Sequence, residues 1–259
     1  MTDFPPAPAA ASRDRRFSPV LAMFLVVLVA GVALAVAGLV EVLSYRVATV
    51  REDSMGTTVA PGSAAVYRPS REIHRGDLVI LEADALEDNA RGVVLKRVIA
   101  VAGDEIRCCD LDKRIVLNGK QIVEPYLDPT VSAADAALPF ETKVPPASVI
   151  VAGDERDNTF DSRVYAKPGV PGGGAIPLSE VDGVVVATGS FFWPDTVEPT
   201  TAFTAAGFTG LSTEDTGPIT GRLLVAGGVL VFLLGFTGAI VTRVRSARKR
   251  RNAAGPPWQ

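Results

Sequence analysis

Two long apolar runs without a charged side chain constrain this 259-residue chain more than any other feature. The first is Ser18–Val40, "SPVLAMFLVVLVAGVALAVAGLV", and the second is Leu223–Thr242, "LLVAGGVLVFLLGFTGAIVT". A helix of roughly 20 residues crosses the hydrocarbon core of a bilayer, whereas core helices of soluble proteins rarely run so far without a polar face. The sequence therefore predicts transmembrane helices at 18–40 and 223–242.

The first run has an alternative interpretation. Arginines at 13, 15 and 16 precede it, and Ala35-Val36-Ala37 lies inside it, which together resemble a cleavable signal peptide. The apolar part of a signal peptide is usually about 7–15 residues long, and this run exceeds that length. An uncleaved membrane anchor is therefore favoured.

The charges beside the two runs predict the topology. Three arginines precede the first run, and six basic residues follow the second: Arg243, Arg245, Arg248, Lys249, Arg250 and Arg251. Positively charged flanks stay in the cytoplasm, so both termini are expected there and the protein is expected in the plasma membrane. The predicted order is a cytoplasmic tail (1–17), the first span, an extracytoplasmic domain (44–192), a linker (193–222), the second span and a basic cytoplasmic tail (243–259).

The charge of the chain argues against nucleic acid as a partner. The net charge is −3, which gives no long-range attraction for a polyanion. The basic C-terminal run directly follows an apolar span, where it is expected to set the topology and to meet anionic lipid.

The outer segment has the pattern of a β domain. Short apolar runs rich in Val and Ile alternate with Gly, Pro, Asn and Asp, and an amphipathic helical stretch of useful length is not found between them. The runs are 63–68, 77–81, 92–101, 114–123, 148–154 and 181–189. Asn118-Gly119 between two of these half-strands predicts a hairpin with a type I′ turn. The predicted fold class is mainly antiparallel β, anchored by two transmembrane helices.

Composition predicts the character of three other segments of the outer part. Residues 128–147 and 166–174 are expected to be polar or Gly/Pro-rich loops, and residues 193–222, rich in Thr, Gly and Pro, are expected to tether the domain to the second span.

Cys108 and Cys109 are adjacent, and their Cα atoms across a trans peptide would lie too close for ordinary disulfide geometry. Two separate thiols are favoured over a vicinal disulfide, and a zinc site is not supported.

Ser54, in "VREDSMGTT", is the candidate nucleophile, and a nucleophilic serine needs a base. His74, the one histidine, lies in a turn between basic neighbours, which is a poor place for a neutral base. Lys96 lies within "GVVLKRVIAV", the most apolar strand of the outer domain. If it is buried there, desolvation lowers the pKa of its amine towards neutral pH, and the neutral amine can take the serine proton.

With these residues in view, the segment from Val47 to Ala187 resembles the type I signal peptidases, membrane-bound Ser/Lys endoproteases that cut signal peptides from exported proteins. The motifs that carry the resemblance occur in the family's order. They are Ser54-Met55, Arg75-Gly76-Asp77 before "LVIL", "LKRVIAVAGDEI" (95–106) and "AGDERDNTFDSRVY" (152–165). The "CCD…VLNGK" segment further resembles actinobacterial members.

The resemblance implies roles for several residues. Ser54 corresponds to the nucleophile and Lys96 to the general base, while Thr159 takes the place of a serine whose hydroxyl orients the base amine. Asp161 and Arg163 correspond to an ion pair that shapes the site; as i and i+2 of an extended segment they would share a face. Asp154, with Arg156 and Asp157, is expected to pin the same loop. Neither a cofactor nor a metal is implied.

The chain departs from the family pattern at two places. Gly56-Thr57-Thr58 replaces a proline-containing turn after the nucleophile box. Glu52 stands where a serine or glycine is usual near the oxyanion hole, and the loss of one oxyanion donor typically costs about 10²–10³ in rate. Either Glu52 points away, leaving the Ser54 backbone N–H as donor, or activity is low or narrow.

The family resemblance also implies the substrate. Signal peptides would bind as an added strand and present small residues, as in Ala-x-Ala, to shallow apolar pockets. The candidate pocket walls, which equally fit an ordinary core, are Val50, Met55, Val59, Val94 and Leu95. The predicted function is a membrane-bound signal peptidase, a monomer that acts on preproteins at the bilayer. A catalytically weak or inactive relative that binds signal peptides or a dedicated partner is the alternative, and a dedicated protease for one exported protein is a third reading.

Overall fold

The structure, a computed structural model, describes residues 19–86, 92–127, 138–166, 172–190 and 194–253. The predicted cytoplasmic tail at 1–17 and the last residues of the basic tail lie outside the described residues. The chain divides into two compact units, one made of Met1–Leu39 with Gly221–Gln259, and the other of Val40–Thr220.

The first unit contains the two apolar segments, both helical. Helix α1 covers Pro19–Leu43 and the C-terminal helix, here α4, covers Gly217–Ala253. Each is long and apolar enough to cross a membrane by length and composition. Both helices extend beyond the predicted spans because helical hydrogen bonding continues into the polar residues that flank an apolar segment. The span boundaries themselves, 18–40 and 223–242, stay predictions.

Glycines line the contact between these two helices. Gly31 and Gly38 on α1 recur at an interval of two helical turns, as do Gly221, Gly228 and Gly235 on α4. A Cβ atom added at Gly31, Gly38 or Gly228 would come under 3.0 Å from backbone atoms of the facing helix. We call these five residues the glycine seam. Such small residues allow the backbones of membrane helices to approach closely.

The second unit is built from antiparallel strands. The strands are β1 Arg46–Thr49, β2 Ala64–Arg68, β3 Leu78–Glu82, β4 Val93–Val101, β5 Glu105–Cys108, β6 Ile115–Leu117, β7 Lys120–Gln121, β8 Phe140–Lys143, β9 Ser148–Ala152, β10 Ile176–Pro177, β11 Val181–Gly189 and β12 Pro194–Thr196. Two four-residue helices, α2 Ser162–Tyr165 and α3 Ala202–Ala205, and two 3-10 turns, Ala83–Ala85 and Leu178–Glu180, complete the unit.

These strands form two sheets. The larger has the order β1-β2-β11-β3-β4-β9-β10, with β12 also paired to β11, and the smaller has the order β7-β6-β5-β8. Every pairing in both sheets is antiparallel. The predicted fold class, mainly antiparallel β with two long apolar helices, is confirmed.

The hairpin predicted at Asn118-Gly119 is confirmed in the smaller sheet. Leu117 pairs with Lys120 across the turn, and Asn118 and Gly119 have φ angles of 49° and 78°. Those positive φ angles are what a type I′ turn requires, and Asn and Gly adopt them at low cost. Strand β8 falls inside the expected loop 128–147, because Phe140 and Thr142 are buried while the residues between and after them are exposed.

The segment that follows β11 differs from the expected tether over residues 193–222. Strand β12 extends the larger sheet, and Phe203 on α3 is fully buried in a core cluster with Ile99 and Ile106. The composition of the segment suggested a linker, but its few large apolar side chains bury enough surface to fold it onto the domain.

The two cysteines also differ from expectation. Cys108 and Cys109 are joined as a disulfide, and the peptide bond between them is cis, with Cα atoms 3.0 Å apart. The expectation of two separate thiols is not met in this structure.

Candidate active site

Ser54 and Lys96 meet in the second unit although 41 residues lie between them in the chain. Ser54 is in the loop between β1 and β2, Lys96 is in the middle of β4, and Lys96 Nζ donates a hydrogen bond of 2.7 Å to Ser54 Oγ. Both residues are buried, with exposed fractions of 2% and 1%. Ser54 Oγ in turn donates to the Leu95 carbonyl at 3.4 Å. The structure thus brings together the two residues that the sequence singled out.

The surroundings of Lys96 perturb its titration. Burial lowers the pKa of its amine below the ordinary value, against the opposing influence of the Glu52 carboxylate, which lies in contact, and of the charge of Asp161. A buried amine with a lowered pKa is the form of lysine that can accept a proton near neutral pH. Burial thus favours the neutral amine that would activate the serine hydroxyl, and the Glu52 carboxylate favours the ammonium.

His74, the other base considered from sequence, lies beside Ser212 and Asp77 and not beside Ser54. His74 Nδ1 lies 3.0 Å from Ser212 Oγ and 3.7 Å from Asp77 Oδ2. These residues line a cavity of about 700 Å³ that also includes Arg75.

Glu52 binds the lysine, an outcome that the sequence reasoning missed. Its Oε1 atom accepts hydrogen bonds from Lys96 Nζ at 2.7 Å and from the Leu95 backbone N–H at 2.9 Å. Of the two outcomes considered from sequence, a side chain that points away or one aimed at an oxyanion, neither describes this contact. Opposite charges on adjacent segments explain it, since the buried ammonium would otherwise lack an anionic partner.

Thr159 is not placed as the resemblance implied. Its hydroxyl donates to the Phe160 carbonyl at 3.5 Å, while Lys96 Nζ donates to Ser54 and Glu52. The expected contact between Thr159 and the base amine is not formed in this structure, where the hydroxyl bonds to the Phe160 carbonyl and the amine bonds to Ser54 and Glu52.

Asp161 and Arg163 form the expected ion pair, fully buried, with Arg163 Nη2 donating to Asp161 Oδ2 at 2.8 Å. The backbone around them differs from the extended segment that was expected. Asp161 is the N-cap of helix α2 and accepts a hydrogen bond from the Arg163 backbone N–H. Aspartate commonly has this role before a helix, and the cap holds the carboxylate beside the Arg163 guanidinium.

Asp154 pins the loop through a partner that sequence reasoning did not single out. Arg97, the residue after Lys96, donates to Asp154 from Nε at 2.8 Å and from Nη2 at 2.7 Å, and Thr58 Oγ1 donates to the same carboxylate at 2.7 Å. Adjacent residues of a strand project to opposite faces, so β4 presents its lysine and its arginine to different partners.

Arg156 is also buried, whereas Asp157 is exposed. The guanidinium of Arg156 pairs with Glu124 and donates to the Gly153 carbonyl at 2.9 Å. The ring of Tyr126 lies under Arg97, with 4.0 Å from the guanidinium carbon to the ring centroid. Glu124 and Tyr126 are separated from the motif in sequence, and no local pattern marks them.

Glycine lets the nucleophile loop approach the end of β9. A Cβ atom at Gly153 would lie under 3.0 Å from the Ser54 carbonyl oxygen and the Thr159 hydroxyl. Two hydrogen bonds of 3.0 Å complete the contact, from Glu155 N–H to the Ser54 carbonyl and from Asn158 Nδ2 to the Asp53 carbonyl. The motif at 152–165 thereby fixes the backbone of Ser54.

A family model for signal peptidases, peptidase S26, matches residues 22–190. The chain belongs to this family. The resemblance drawn from the motifs is confirmed.

Several signal peptidases are similar to this family member. Signal peptidase I of Bacillus licheniformis is 33% identical over 142 residues, which cover 51% of this chain and 73% of the relative. Signal peptidase I of Mycobacterium tuberculosis is 36% identical over 100 residues, 35% of this chain and 34% of the relative. Signal peptidase I V of Bacillus subtilis is 35% identical over 105 residues, 37% and 58% of the two chains. The match thus spans about a third to three quarters of these relatives.

A solved structure of a signal peptidase I from Enterococcus faecalis aligns with a TM-score of 0.35 and 23% identity, over 44% of this chain and 96% of that one. Within the described residues of this family member, no group of three or more His, Cys, Asp or Glu side chains is arranged to hold a metal ion.

The candidate pocket walls divide between two core clusters. One cluster, which also includes Ile80, contains four of them: Val50, Met55, Val59 and Leu95. Met55 directly follows Ser54 in the chain. Val94 instead packs against the cluster that contains Val79 and Leu81. Val94 therefore lies on the opposite face from Leu95, because side chains alternate between faces along β4. The assignment of all five residues to a substrate pocket stays a prediction.

Proposed function

We propose that this protein is a membrane-bound serine endopeptidase that removes signal peptides from exported preproteins after small residues of the Ala-x-Ala type. The contact between Ser54 Oγ and Lys96 Nζ, 2.7 Å inside a buried site, carries the proposal. Membership of the signal peptidase family supports the reaction class.

In the proposed reaction, Ser54 Oγ attacks the carbonyl carbon of the scissile peptide bond while the neutral Lys96 amine takes the hydroxyl proton. The resulting ammonium gives that proton to the departing amine, and an acyl-enzyme on Ser54 remains. Water then attacks the ester, again with Lys96 as base, and frees the signal peptide. The Ser54 backbone N–H is the proposed oxyanion donor, because a carboxylate at position 52 only accepts hydrogen bonds.

The peptide is proposed to bind along β4. Strand β9 pairs with β4 over Arg97–Val101. The preceding part of β4, Val93–Lys96, is paired among the described residues with β3 alone. That open edge is suited to strand addition, with the cluster of Val50, Met55 and Leu95 beside it for small apolar side chains. Both apolar helices are proposed to span the plasma membrane with their termini in the cytoplasm, holding a monomeric catalytic domain outside.

The test uses the full-length protein purified in detergent and a preprotein with an Ala-x-Ala site. We expect Ser54→Ala to abolish cleavage and Lys96→Met, which keeps the volume but not the amine, to lower kcat by about 10²–10⁴. Lys143→Met is the matched control, since Lys143 is an exposed lysine in the same unit, and it should cleave at the normal rate. Wild-type protein that cleaves no faster than Ser54→Ala would contradict the proposal.

A second candidate is a relative that binds signal peptides without cutting them. The hydrogen-bonded contact of Glu52 with Lys96 favours it, because a salt-bridged ammonium cannot accept a proton. Saturable binding of a signal peptide with no cleavage at any pH would support this function over the first.

A further inference from the structure

The Glu52 carboxylate makes two contacts with one oxygen. Oε1 accepts from the Lys96 ammonium at 2.7 Å and from the Leu95 backbone N–H at 2.9 Å. The side chain of Glu52 is 28% exposed and that of Lys96 is 1% exposed, so the carboxylate lies between the buried base and the solvent. Glu52 therefore covers both the base and part of the strand edge.

The backbone groups of Leu95 are those that a peptide strand would need for its own hydrogen bonds. Leu95 belongs to the stretch of β4 that has no strand on the β9 side within the described part of the chain, and its backbone N–H and carbonyl contact the side chains of Glu52 and Ser54. A peptide added as a strand needs these backbone groups for its own hydrogen bonds. Glu52 and a bound peptide thus compete for the Leu95 N–H.

We propose that Glu52 is a positioning residue that acts as a displaceable lock: it holds Lys96 protonated in the resting enzyme and gives way when a peptide strand binds along β4. This inference rests on the proposed function. It explains how one chain combines a nucleophile and base at hydrogen-bonding distance with a carboxylate that keeps the base from reacting.

The proton balance of the lock is simple. When a peptide carbonyl accepts the hydrogen bond of the Leu95 N–H, the Glu52 carboxylate moves out into solvent, and the buried Lys96 ammonium, now without its anion, releases one proton to water. Two carboxylates act on the Lys96 amine, Glu52 by contact and Asp161 by its charge. Asp161 already pairs with Arg163, so Glu52 is the acid whose removal most frees the amine.

The primary experiment compares wild type with Glu52→Gln, whose amide oxygen still accepts from Leu95 N–H but carries no charge. Cleavage of an Ala-x-Ala peptide is followed across pH, because kcat/KM reports the free enzyme and kcat the bound complex. At an acidic pH where wild-type kcat/KM has fallen well below its plateau, we expect kcat/KM of Glu52→Gln to exceed that of wild type by about tenfold or more. The values of kcat should differ much less. Glu141→Gln removes the same charge from an exposed glutamate on β8 of the same unit and should behave as wild type.

A second readout does not depend on cleavage. The Lys96 side-chain resonance of isotope-labelled protein is titrated by NMR in wild type and in Glu52→Gln, each with Ser54→Ala. We expect the lysine to lose its proton at lower pH in the Glu52→Gln background, and an uncleaved peptide to bind that variant more tightly. If no variant cleaves but the titration shifts, the lock stands and the proposed function fails.

The lock is overturned by three results. The acidic limb of kcat/KM could coincide in wild type and Glu52→Gln, or Glu52→Gln could lose activity at every pH, which would make the carboxylate a requirement. Equal Lys96 titration in both backgrounds would also reject it.

Discussion

Removing the carboxylate of Asp154 should cost far more stability than removing an exposed carboxylate from the same unit. Arg97 and Asp154 have side chains that are 4% and 1% exposed and share two hydrogen bonds of 2.7 and 2.8 Å. Burial lowers the pKa of Arg97, but its bond to Asp154 outweighs this and keeps the pKa above the ordinary value. Asp154→Ala therefore leaves a charged guanidinium buried without its anion.

The expected cost follows from that burial. Breaking a buried pair by removing one partner destabilises by about 3–5 kcal/mol, whereas an exposed pair contributes about 0–1 kcal/mol. The exposed pair of Lys143 and Glu105, with side chains 67% and 69% exposed, provides the control. With about 2–4 °C of Tm per kcal/mol for a unit of this size, Asp154→Ala should lower Tm by roughly 6–20 °C and Glu105→Ala by at most about 4 °C.

The assay is thermal unfolding of the full-length variants in one detergent, followed by circular dichroism of the β signal. Arg97→Met combined with Asp154→Leu should recover most of the loss, because an apolar pair of similar volume leaves no unpaired charge. A Tm for Asp154→Ala no lower than that of Glu105→Ala would refute the reasoning, as would a double variant less stable than Asp154→Ala.

Two further predictions concern the nucleophile loop and the pH dependence of stability. Gly153→Ala should lower kcat by about 10² and should also lower Tm, since its Cβ would clash with the Ser54 carbonyl and the Thr159 side chain and push them out of place. Gly227→Ala, with open space around it, is the control, and an unchanged kcat for Gly153→Ala would contradict this. Burial raises the pKa of Asp104, but the Arg75 guanidinium and hydrogen bonds from Val101 and Asn118 bring it below the ordinary value. Its stabilisation is therefore present above the unfolded-state pKa and lost as pH falls through the folded one. Arg75→Met should be less stable than wild type at neutral pH and should lose less stability on acidification, so that the two curves converge at low pH. Melting curves from neutral pH downwards check this, and parallel curves for wild type and variant would be evidence against it.

The parts of the site that could be predicted from sequence are those in which one residue contradicts its surroundings. Lys96 interrupts an apolar strand, and that conflict left two outcomes, an amine that points out to water or a buried one. The structure has the buried one. Glu52 was noticed because it departs from a motif, yet its direction depends on a side-chain torsion in a loop, which no periodicity encodes. Glu124 meets Arg156 only because the smaller sheet folds back towards the motif, a long-range contact that a single sequence does not show.

The same division holds for the fold. Alternation of apolar residues and the Asn118-Gly119 turn predicted the long strands and the hairpin, because both are local. Short strands such as β12 and the packing of Phe203 depend on tertiary contacts and were missed. The glycine seam was present in the sequence as a regular interval, but it has meaning only once two helices are seen to face each other.

The helix pair bears on how such an enzyme avoids digesting itself. Its own first helix contains Ala35-Val36-Ala37, the kind of small-x-small tripeptide that the proposed activity cuts. Ala35 lies in the middle of α1, with backbone atoms directly against Gly228, so this tripeptide is held in helical form by its neighbour. Under the proposed activity, a protease that reads its substrate as an extended strand would have no access to the tripeptide in this helical form.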